Sequence, residues 1–109
     1  MIKVFLLTYI LLSINVYGAD KTKCTELFSR AISNFYLENS CKFDNHLSSI
    51  IRQKFKNQGC EEIFSDADMK KLNSEILGSS YHAMKKIGRD GFCREHKDSY
   101  EKAYQQNKN

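Results

Sequence analysis

A chain of 109 residues with four Cys, no Pro and a formal net charge of +4 is one domain at most. The charge excess is too small and too scattered for a dedicated nucleic-acid binder, and five dispersed Gly give no linker or low-complexity tract.

The chain opens like an export signal. Lys3 supplies a positive start, and Val4 to Val16 is an almost unbroken apolar run of 13 residues. Val16 and Gly18 suit the −3 and −1 sites of a signal peptidase, so residues 1–18 read as a signal peptide cleaved after Gly18. A run of that length is too short for about 30 Å of hydrocarbon, and no second apolar run follows. The expected mature chain, residues 19–109, therefore has no membrane span and keeps a net charge of +3 once Lys3 is removed. Its destination is the periplasm or the outside of a cell. A core this small is marginal, and four cysteines in an oxidising compartment read as two compensating disulfides.

Four helices follow in order. The first runs from about Thr22 to Glu38, with Cys24, Leu27, Phe28, Ala31, Ile32 and Phe35 on one stripe. Asn39-Ser40-Cys41 reads as a turn. Asp44 is placed to cap the second helix, whose stripe is Leu47, Ile50, Ile51 and Phe55, and Gly59 suits its left-handed end. The third helix, Ser65 to Gly88, is the longest. Met69, Leu72, Ile76, Leu77, Ser80, Met84 and Ile87 give it the most regular stripe, and Leu72 and Ile76 are expected at the centre of the core. Gly88-Arg89-Asp90-Gly91 is a strong turn signal before a fourth helix carrying Cys93, His96, Tyr100, Ala103 and Tyr104. The fold class is all-α, and short links make an up-down-up-down four-helix bundle.

That topology selects the disulfides. With the first helix rising, Cys24 and Cys60 lie at the bottom and Cys41 and Cys93 at the top. Pairing Cys24 with Cys41 would bridge roughly 25 Å of helix, whereas a disulfide needs Cα atoms within about 7 Å. Cys24–Cys60 and Cys41–Cys93 are the pairs that remain. No two cysteines are closer than 17 residues, which argues against zinc, iron–sulfur or redox motifs.

Other motifs have plainer explanations. Asp66-Ala67-Asp68 lacks the Gly and Glu of a calcium loop. His46, His82 and His96 share no metal spacing, and Ser48 and Ser49 lack a nucleophile elbow. No catalytic residue, metal or cofactor is assigned. The feature left over is the second helix, which has no carboxylate between Asn45 and Cys60 but carries Arg52, Lys54 and Lys56. These three residues are the candidate partner-binding set, facing an acidic protein surface. The expected function is a non-enzymatic exported interaction module of the inhibitor, immunity or envelope-accessory type. The alternative is a carrier of a small apolar ligand, which would need an enclosed cavity above about 300 Å³ between the helices.

Overall fold

In the computed structural model, which describes residues 20–109, four α-helices form a disulfide-stapled bundle: α1 (Lys21–Cys41), α2 (Leu47–Asn57), α3 (Asp66–Ile87) and α4 (Arg89–Asn107). The expected signal peptide, residues 1–18, lies outside the described residues. A 3-10 turn at Cys60–Glu62 follows α2.

The helix ends show why the chain turns where it does. Asp20 opens α1 by accepting the Thr22 amide at 2.9 Å, and Ser65 opens α3 by accepting from Asp68 at 3.1 Å. Asp66 and Asp68 sit at the positive end of α3, and Lys85 and Lys86 at its negative end. Gly59 takes the left-handed φ of 74° that lets the chain leave α2 for the turn. Two expected boundaries are corrected. The first helix continues through Asn39-Ser40 to Cys41, the Asn39 side-chain Nδ2 folding back to donate to the Phe35 carbonyl at 3.1 Å, and Lys42 takes the left-handed position that stops it. The turn expected at Gly88–Gly91 contracts to Gly88 alone, and α4 begins at Arg89.

Two apolar clusters fill the bundle. The upper one joins Ala31 and Leu37 of α1, Leu47 and Ile51 of α2, and Phe92 and Tyr100 of α4. The lower one is Cys24, Phe55, Cys60 and Phe64, with Met69 and Leu72 against it. Each cluster carries a disulfide: Cys24–Cys60 below and Cys41–Cys93 above, both with Cα atoms 5.5 Å apart. The pairing read from the sequence is the one the structure contains. In the loop-entropy picture, loops of 36 and 52 residues make these bonds worth about 4 kcal/mol each.

The centre of the fold is not where the sequence placed it. Helix α1 packs against each of the other three, while α2 and α3 scarcely approach one another. No residue of α3 is fully buried, and Leu72 and Ile76 are only half-buried. Most of the stripe of α3 points inward: Met69 and Leu72 meet the lower cluster, and Met84 meets the upper one, where its sulfur accepts from the Tyr36 hydroxyl at 3.5 Å. Ile87 at the end of the helix is exposed, correcting its place on the stripe. It lies on the flank of a core built by α1, α2 and α4.

Candidate partner-binding groove

The separation of α2 from α3 leaves one flank of α1 open. Phe28, Ala31 and Ile32 of α1 and Phe55 of α2 floor a hollow of about 230 Å³, with Met69 of α3 at its far edge. Arg52, Lys56 and Glu61 rim it. A second, more polar hollow of about 430 Å³ adjoins it higher up, between Phe35, Asn39 and Lys42 on one side and His46, Ser49 and Arg52 on the other. Arg52 lines both, so the two hollows are neighbours along the α1–α2 seam, and the groove is this pair of hollows. Phe35, 46 % exposed, stands open in the upper half.

The three predicted site residues divide. Arg52 and Lys56 are four residues apart on one face of α2, and both reach the groove. Lys54 points the other way, donating to Asn107 Oδ1 at the end of α4 at 2.7 Å. It ties two helices together and stands apart from the groove cations. The floor is held from beneath: the rings of Phe28 and Phe55 lie 5.7 Å apart, and Phe55 stacks on Phe64 at 6.3 Å. The buried Cys24–Cys60 disulfide belongs to the same cluster.

The start of α2 is built by residues that sequence reasoning did not single out. Asp44 is exposed and does not cap the helix, correcting that expectation; the N-cap position is His46, at φ 57°, with no side-chain cap bond. The cap comes from α1. The Glu38 carboxylate accepts the Ser48 amide at 3.0 Å, the Ser48 hydroxyl, and the Tyr100 hydroxyl at 2.8 Å. Tyr100 in turn accepts a long 3.5 Å bond from the Leu47 amide. Burial, reinforced by the bond to Glu38, pushes the Tyr100 phenol up from 10.0 to about 12, so it stays protonated and donates. Ser48 is buried and its hydroxyl is spent on Glu38, so this node joins three helices and does not offer a nucleophile to the groove. A signal for it existed: Glu38 continues the heptad row Cys24–Ala31, placing a carboxylate where the apolar stripe should continue.

His96 is half-buried against Phe92, ring centroids 4.5 Å apart, as a packing residue would be. Compared with protein-family models, with curated proteins and with solved structures, the chain matches none.

Proposed function

We propose that the protein is an exported, non-enzymatic interaction module that binds another protein along the α1–α2 seam. The observation that carries this reading is the groove itself: an open apolar floor beside two of the three cations of a helix that has no carboxylate. The paired disulfides favour an oxidising destination, where such bonds persist. The alternative, a carrier of a small apolar ligand, fits less well. The apolar hollow is open along one side, and its volume of about 230 Å³ falls below the range of enclosed ligand sites.

The test uses the producing cell's exported proteins and two forms of the chain, native and Ile32→Asp. Ile32 is half-buried on the groove floor, so circular dichroism first establishes that the variant keeps its helices. One protein enriched at least tenfold by the native form and lost with the folded variant is the expected result. Equal recovery by both, or no enrichment, would sink the reading.

A further inference from the structure

We infer that the occupant of the groove is an amphipathic, acidic α-helix of about four turns from a different protein; the inference rests on the interaction reading above. The wall of the groove runs from Phe28 of α1 to Lys42 just past the helix end, which at 1.5 Å per residue is about 20 Å, the length of roughly 13 or 14 helical residues. Two packed helices leave between them a furrow that a third fills at an axis separation of about 8–10 Å. Here, among the described residues, α3 reaches the two hollows only at Met69 and scarcely approaches α2, which leaves the seam open. The two hollows, adjoining at Arg52, would accept apolar side chains spaced one or two turns apart, the i, i+4, i+7 signature of helix-in-groove recognition.

Charge gives the sign of the partner. Arg52 and Lys56 form a row one turn apart, and Lys42 continues it at the upper end. Asp44 and Glu61 are the opposing carboxylates along the groove, because Glu38, although it lines the upper hollow, has its oxygens engaged by Ser48 and Tyr100. Cations exceed free acids, so carboxylates spaced four residues apart on the incoming helix would meet Arg52 and Lys56 in turn. Among the described residues, neither α3 nor α4 is such a helix. In α3 the lysines outnumber the acids, and in α4 basic and acidic side chains balance, which disfavours a second copy as occupant. The floor is held by the lower aromatic cluster and its disulfide, so docking would order few groups that are not already fixed.

Site-specific photocrosslinking of the whole protein tests this. p-Benzoylphenylalanine replaces Phe35 in the groove or, as a control, Tyr81 on the outer face of α3, which is comparably exposed at 52 %. Each form is irradiated with the exported proteins of the producing cell, and adducts are mapped by mass spectrometry. The expected result is an adduct from position 35 and none from 81, on a helical segment of another protein with more Asp and Glu than Lys and Arg. Its yield should fall at least tenfold when Arg52→Glu and Lys56→Glu are added. An adduct to a basic or extended segment, to a second copy, or to lipid would overturn the inference, as would a yield indifferent to the charge reversals. An adduct from position 81 alone would reject the groove while leaving an interaction module standing; none from either would reject both.

Discussion

Replacing Tyr100 by Phe removes one oxygen from the node that joins α1, α2 and α4, and its cost should depend on pH. The ring stays, so no cavity opens. What is lost is a 2.8 Å bond donated to a carboxylate, a class of bond worth about 1.5–3 kcal/mol, and a weaker one accepted from Leu47. A loss of about 2 kcal/mol is expected at pH 8. The folded protein holds the Tyr100 proton up to about pH 12, whereas the unfolded chain releases it near 10. Between those values the unfolded state binds fewer protons, so stability falls as pH rises. This contribution is complete below pH 10, and the rise to about 12 corresponds to at most about 3 kcal/mol, lost by the time pH passes 12. The Phe variant has no such proton. Native and variant stabilities should therefore differ by about 2 kcal/mol at pH 8 and nearly converge by about pH 11.5. Urea denaturation followed by far-ultraviolet circular dichroism at matched pH steps measures this, and the other tyrosines and the lysines cancel in the difference. A gap that stays constant with pH, or one under about 0.5 kcal/mol at pH 8, would refute the reasoning.

Two further measurements probe how the core is distributed. Leu47→Ala, at a side chain fully shielded from solvent, should cost about 3–5 kcal/mol, while Ile76→Ala on the half-buried stripe of α3 should cost less than about 2; equal costs would return α3 to the centre of the fold. Gly78→Ala should raise stability by up to about 1 kcal/mol, since nothing lies within 4 Å of a Cβ there and the site is helical. Gly88→Ala should lower it by about 1–3 kcal/mol, because φ 83° with ψ 156° is a conformation that essentially only glycine adopts. Thermal melts of both would expose any reversal of sign.

The parts of this fold legible in the sequence were those that local pattern controls. Apolar spacing located four helices, Ser65 and Gly59 marked ends, and helix direction alone chose between disulfide pairings that spacing left open. Depth was not legible. The stripe of α3 correctly says which way that helix faces, but how far its side chains sink depends on where α2 and α4 lie, and that is settled by contacts distant in sequence. The start of α2 shows the same limit: Asp44 was the nearest carboxylate along the chain, yet the one that caps Ser48 is Glu38, on another helix. The cationic set was legible in its members and in its split, because helical spacing puts Arg52 and Lys56 together and turns Lys54, two residues from each, to the opposite face. What was not legible is the partner of Lys54, Asn107, which depends on the course of α4.

Both disulfides leave from α1, and the loops they close, 24–60 and 41–93, overlap. The overlap governs what a single backbone break can do. A cut anywhere between Cys24 and Cys93 leaves its two fragments joined through at least one bridge, and a cut between Cys41 and Cys60, where α1 hands over to α2, leaves them joined through both. A nicked chain would keep its mass and its neighbours until the bridges were reduced. Beyond Cys93 that protection ends: most of α4 hangs on by packing and by bonds such as Lys54 to Asn107, so it is the one long helical segment that a single cut could shed.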